Sequence, residues 1–151
     1  MVLSQRVAVL AQGSVQQCTT PDEIYDFPAN LFVAQFIGNP PMNLLAPRFL
    51  TGVAGLSGRI ASFEERDLML GVRPGDIRVR KEAGSGRIEG TVTLLEPTGG
   101  DLWVLGDCGG ARIKGRTDSH APIAAGDRVY FEIPAERVHI FEQSSGKRLE
   151  R

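Results

Sequence analysis

The sequence Asn39-Pro40-Pro41 constrains this chain more than any other feature. Two consecutive residues lack a backbone N–H, and each proline drives its predecessor out of the α region, so no helix and no central strand can run through. Everything before the break must end there. Upstream, Leu31, Phe32, Phe36 and Ile37 recur near helical spacing and predict one buried helical face, opened by Pro28 in its first turn and stopped by Gly38. Gly38, Pro40 and Pro41 are the candidate hinge residues, where a proline-rich hinge over residues 39–45 begins.

The residues before the break alternate elements. Arg6-Val-Ala-Val-Leu10 is a short apolar run suited to a strand, Gln12-Gly13 turns it, and Ser14 to Cys18 returns as its hairpin partner. Thr20-Pro21-Asp22-Glu23 reads as a helix start, with Thr20 capping, Pro21 in the first position and Glu23 completing a capping box. A strand pair and two short helices bury too little surface to stand alone. Residues 1–38 are therefore expected to be the tail of a larger α/β domain, poorly covered by the rest of this chain.

After the break the pattern is β. Short apolar runs at 43–46, 52–56, 59–63, 68–72, 77–80, 87–95, 102–105, 111–114, 127–133 and 138–141 are separated by glycine and proline turns. Closely spaced short strands of this kind indicate a small barrel or sandwich, because closing the sheet removes its edges. An internal echo runs through this half. Gly71-Val-Arg-Pro74-Gly-Asp-Ile-Arg-Val79 resembles Phe131-Glu-Ile-Pro134-Ala-Glu-Arg-Val-His-Ile140, the second copy one residue longer. It marks either two related β halves or a shared way of turning a corner.

The 17 lysines and arginines against 18 aspartates and glutamates leave no broad positive field, which argues against nucleic-acid binding. No run approaches the roughly 18 apolar residues of a membrane span, so no direct membrane insertion is expected. The two cysteines, Cys18 and Cys108, have no metal-ligand spacing, and Cys108 is placed in an exposed glycine turn. His139 alternates between Val138 and Ile140 and is expected to face solvent. His120 follows Asp118-Ser119, but sequence neighbours cannot form a catalytic relay, and no GxSxG elbow is present. Neither a GxxxxGK[ST] phosphate loop nor GxGxxG occurs. Glu64, Glu65 and Asp67 read as a charged hairpin tip. Trp103 with Tyr130 and Phe131 could form an aromatic platform. No catalytic, cofactor-binding or metal-binding constellation emerges.

Two blocks carry a family resemblance. Arg6 to Tyr25 followed by Pro28-Ala-Asn-Leu-Phe-Val-Ala-Gln-Phe-Ile-Gly38 and Pro41-Met-Asn43 resembles the end of the ATP-hydrolysing subunits of sugar-importing ATP-binding cassette (ABC) transporters, the maltose and glycerol-phosphate importers being nearest. Gly71-Val-Arg-Pro-Gly-Asp76 resembles the signature of the appended TOBE domain, with Gly75 where that signature has glutamate. Gly126-Asp-Arg-Val129 and Ile140-Phe141 are similar to its last strands.

The resemblance implies a mainly β, OB-like TOBE barrel (46–151) preceded by a short α/β remnant of the nucleotide-binding domain (1–38) and the hinge (39–45). It implies a non-catalytic regulatory and dimerisation role in ATP-driven uptake of a sugar or similar solute. MgATP would bind the parent family's upstream motifs and no cofactor this chain. The implied partners are a second copy and membrane-spanning permease subunits, at the cytoplasmic face of the membrane. Trp103, Phe131, Ile133, Ile140 and Phe141 are the candidate dimer or ligand surface. The alternative reading is a stand-alone β module that binds a sugar or an oxyanion, and a weaker third is single-stranded nucleic-acid binding.

Overall fold

The computed structural model describes residues 5–149. A hairpin opens them: β1 (Val7–Ala11) and β2 (Ser14–Thr19) pair antiparallel around Gln12 and Gly13, both with positive φ, as a two-residue hairpin turn requires. Helix α1 (Pro21–Asp26) starts as its sequence predicts, Thr20 accepting from the Glu23 N–H with proline in the first turn. The Glu23 carboxylate bonds the Thr19 hydroxyl.

Helix α2 (Leu31–Phe36) starts later than expected. Pro28 lies outside it, because Asn30 provides the stronger cap, its side chain accepting from the Val33 N–H at 2.9 Å. The buried face is also different. Val33 and Ala34 are inside, whereas Phe32 and Phe36 stack on each other at the surface with ring centroids 5.7 Å apart.

The β half contains two sheets. Strands β3 (Asn43–Leu45), β4 (Leu68–Val72) and β10 (His139–Glu142) form one, with β4 central and both pairings antiparallel. Strands β5 (Arg78–Arg80), β6 (Arg87–Thr98), β7 (Asp101–Cys108), β8 (Ala111–Asp118) and β9 (Arg128–Glu132) form a closed barrel in the order β5-β8-β7-β6-β9. The β5–β8 contact is parallel; the other four are antiparallel.

Residues 52–63 are not strands. Val53, Leu56 and Ile60 fall at helical spacing, and helix α3 (Leu56–Ile60) buries Leu56 after a left-handed turn at Gly55.

The internal echo has a geometric meaning. Each copy is a strand, a single 3-10 turn and a strand: β4, Pro74–Asp76, β5 in the first and β9, Ala135–Arg137, β10 in the second. The copies lie antiparallel, with β4 against β10 and β5 against β9. The turns superpose at Ile77 and Val138, whose N–H groups close onto Pro74 O and Ala135 O and whose side chains are both buried. The prolines are offset by one position, which absorbs the extra residue.

One apolar core runs through the barrel and the three-stranded sheet, including Leu50, Leu70, Val72, Ile77, Val104, Ile113, Val129, Phe131 and Ile140. Phe131 fills the barrel because β6 and β7 carry glycine opposite it. A Cβ at Gly106 would lie 2.7 Å from its ring, and one at Gly90 3.0 Å. Phe131, Ile140 and Phe141 are fully buried and Ile133 is 5 % exposed, so these residues pack the interior and offer no surface to a partner or a ligand. Cys108 is buried too, correcting its expected exposure in a glycine turn. Upstream, a separate small cluster of Val9, Ile24 and Val33 serves the N-terminal segment.

Candidate functional site

The two segments meet at Arg73, the one polar residue among those buried below a tenth exposure in the described chain, at 2 %. It directly follows β4 and points back under both helices. Its Nη1 donates to Ala34 O at 3.0 Å and to Ile37 O, and its Nη2 donates to Tyr25 O at 2.8 Å. These carbonyls belong to the last turns of α1 and α2, which lack intrahelical partners and carry negative partial charge, so one guanidinium caps both helices. The Tyr25 ring lies 4.2 Å below the guanidinium carbon, a cation–π contact. Arg73 Nε is buried without a partner. Burial draws the Arg73 pKa below its usual value, opposed by Tyr25, Asp76 and Asp26.

The turn at Gly38 exists to admit this side chain. Its φ is +121°, and a Cβ there would stand 2.8 Å from Arg73 Nη1. The candidate hinge and the TOBE-like signature block are thereby one construction: Gly38 leaves the space and Arg73 fills it. After the turn, Pro40 and Pro41 lead into Met42, which packs with Ala34 and Phe141. Asn43 then ties the three-stranded sheet to the barrel. Its side chain donates to Val72 O at 3.2 Å and Lys114 O at 2.9 Å and accepts from the Lys114 N–H at 2.9 Å. A strap beyond β10 completes the junction, with Leu31 N donating to Gly146 O at 2.8 Å and Arg148 N to Ala29 O at 3.0 Å.

A cavity of about 400 Å³ opens beside Arg73, between the end of α1, the two 3-10 turns and the strap. His139 lines it, largely withdrawn from solvent rather than facing it. Its Nδ1 lies 2.8 Å from Arg148 Nη1. A guanidinium can only donate, so Nδ1 accepts and the neutral ring carries its proton on Nε2. Burial, followed by the charges of Arg148, Arg73, Arg59 and Arg137, pushes the His139 pKa down to about 3.

The remaining sequence candidates do not converge. Trp103 sits half-buried on β7 opposite Glu96 of β6 and Arg116 of β8. Tyr130 lies opposite Glu89. Seven residues of β6 separate those two partners, roughly 23 Å of strand, and Phe131 points inward, so the three aromatics form no platform. Asp67 accepts from the Ser144 N–H at 2.8 Å and the Ser144 hydroxyl at 2.6 Å, which pins the strap rather than a cation. Among the described residues no group of three or more His, Cys, Asp or Glu side chains could hold a metal ion. Burial pushes the Cys108 thiol, helped by Asp107, up to about 12, which removes it as a nucleophile at neutral pH. No described helix is long and apolar enough to cross a membrane.

In the sequence Arg73 stands inside the block Gly71-Val-Arg-Pro-Gly-Asp76 with nothing to mark it out. An arginine after a run of apolar residues looks like a strand's charged end; only the fold shows which carbonyls lie beneath it.

Comparison with known proteins agrees with this geometry. The TOBE domain model matches residues 70–141, from the strand that leads into Arg73 to the strand that carries His139. The sn-glycerol-3-phosphate import ATP-binding protein UgpC of Cupriavidus necator is 36% identical over 99% of this chain and 46% of its own length. The protein of the same name from Yersinia enterocolitica is 34% identical over 99% of this chain and 45% of its own. The chain thus spans about half the length of the curated relatives it matches. A solved structure, the cytoplasmic molybdate-binding protein ModG, overlaps 48% of this chain and 60% of its own, at a TM-score of 0.45 and 17% identity, a likeness too slight to bear on ligands. Residues 70–141 match the TOBE domain family, and the chain as a whole is similar to the C-terminal part of the ATP-binding subunits of sugar-type ABC importers.

Proposed function

We propose that this chain is the non-catalytic regulatory and dimerisation portion of an importer ATPase, serving ATP-driven uptake of a sugar or of a phosphorylated polyol such as the relatives' glycerol phosphate. Residues 1–38 belong to the nucleotide-binding domain, 39–45 form the elbow that follows Gly38 and contains Pro40 and Pro41, and 46–151 form the regulatory domain. The observation that carries this reading is the Arg73 clamp, which fastens the ends of two helices to the β half through three carbonyls. A movement of the helices is then transmitted to the barrel. Coupling between distant elements is carried by packed side chains and hydrogen-bond networks of this kind.

The N-terminal segment supports the same reading. Leu10, Val15, Tyr25, Phe27, Phe32 and Phe36 are all exposed, an apolar surface that suits the body of an ATPase domain. MgATP binds in that body, the permease subunits engage the whole ATPase, and the complex works at the cytoplasmic face of the membrane. A second copy meets the barrel on an outer face, for which Trp103 is the remaining candidate.

Calorimetry of this chain with MgATP tests the reading. No heat of binding is expected; saturable binding at micromolar nucleotide would overturn it.

A further inference from the structure

The cavity beside Arg73 is built from elements that are distant in sequence, and four of them contribute an arginine. Arg59 comes from α3, Arg73 from the end of β4, Arg137 from the second 3-10 turn and Arg148 from the strap. Three of them are fixed in place. Arg73 holds the helix ends, Arg59 donates to Ala135 O, and Arg148 donates to His139 and lies 5.3 Å from the centre of the Phe27 ring. Arg137 is different. It reaches Asp76 only at 4.0 Å, with its side chain 59% exposed, so the geometry leaves its donors turned toward solvent and the cavity.

The wall is not purely cationic. Asp26, Asp76 and Glu136 also line it, so four guanidiniums face three carboxylates around a neutral imidazole. A plain anion would satisfy the arginines and leave the carboxylates opposed. A ligand that joins an oxyanion to hydroxyl donors satisfies both, because guanidiniums bind oxyanions by paired charge-assisted bonds and carboxylates accept from hydroxyls. The volume lies within the range of small-molecule sites.

We propose that this cavity binds a small hydroxylated oxyanion of the sugar-phosphate class, its charged group held by Arg137 and Arg148 and its hydroxyls by Asp26 and Glu136. Such a ligand bridges the end of α1, the second 3-10 turn and the strap. It therefore tightens the junction that Arg73 clamps, and gives the regulatory domain a cytosolic input. The site does not depend on dimerisation or on the MgATP prediction above, so either can fail without the other.

Ribose 5-phosphate, inorganic phosphate and ribose form a matched set of probes: charge with hydroxyls, charge alone, hydroxyls alone. Calorimetry on the full chain is expected to give saturable binding of ribose 5-phosphate, weaker binding of phosphate and none of ribose. Arg137→Ala, at an exposed position, should weaken ribose 5-phosphate about tenfold through loss of a charge-assisted bond. Arg148→Gln should do the same, with a thermal melt checking that each variant is folded. In NMR spectra the ligand should move the His139 ring resonances and leave those of His120, in its exposed loop, in place. No saturation by ribose 5-phosphate up to about 10 mM, tenfold above a millimolar Kd, would overturn the proposal. So would equal binding in folded Arg137→Ala, ribose binding as tightly as its phosphate, or a ligand that leaves His139 unmoved.

Discussion

The two halves of the molecule bury apolar surface in opposite ways. The β half closes on itself: its barrel has no free edge, and one core reaches from Leu45 to Ile140. The N-terminal segment has three fully buried side chains in its own cluster and six large apolar residues at the surface, with Phe36 66 % and Leu10 62 % exposed. Hydrophobic burial scales with the area removed from water, at roughly 25 cal/mol per Å². A six-residue helix also contributes little by propensity. The segment therefore takes its order from the β half through the clamp, the strap and the Ala34–Met42–Phe141 contact. The main core takes no side chain from it.

That contrast predicts two unlike responses to mutation. Phe131→Ala empties the barrel interior, where Gly90 and Gly106 leave room for that ring alone, and should cost ~3–5 kcal/mol of global stability. Chemical denaturation would report it as a lower midpoint at unchanged slope. Arg73→Met should instead act locally. It leaves the Ala34, Ile37 and Tyr25 carbonyls without their shared donor, a loss of about 2–3 kcal/mol by the usual cost of unsatisfied buried groups. Hydrogen exchange should then speed up across α1 and α2 while the amides of β6 to β8 keep their protection. A uniform loss over both halves would break the contrast and make the molecule a single cooperative unit.

How far the sequence could be read follows the range of the interactions concerned. The Thr20 cap, the Gln12-Gly13 turn and the strands at 68–72 and 87–95 depend on neighbours within a few residues, and all of them were legible. Alternation at Val129, Phe131 and Ile133 announced a strand with two faces. It did not say which face was inside, because that depends on Gly90 and Gly106 in two other strands. Phe131, Ile133, Ile140 and Phe141 were candidates for a partner surface through the family resemblance, and the strand pattern alone did not place them inside. The segment at 52–63 was misread because short apolar runs suit strand and helix alike. Of the site, Gly38 and the block around Arg73 were visible as motifs, whereas their joint purpose was not. Neither residue type announces that its partner lies 35 positions away.

A third prediction lies in the junction itself and depends on pH. His139 has an ordinary value near 6.5 in the unfolded chain and about 3 in the folded one, because the ring is buried and faces four arginines. Between these values the unfolded chain takes up a proton that the folded chain refuses. Stability is therefore complete above pH 6.5 and falls as the pH drops through the window toward 3. For one proton the slope approaches ~1.4 kcal/mol per pH unit. Asp127, held below the usual carboxylate range by the Ala124 N–H and then by Lys81, loses its contribution only as the pH falls below about 3.8, so the interval from pH 6.5 to 4.5 isolates the histidine among these two shifted groups. His139→Gln keeps an acceptor for Arg148 and cannot titrate. Denaturation midpoints of the variant should be flatter with pH in that interval than those of the parent chain. If the two curves run parallel, the ring is protonated in the folded state, and the arginines do not crowd it as the junction requires.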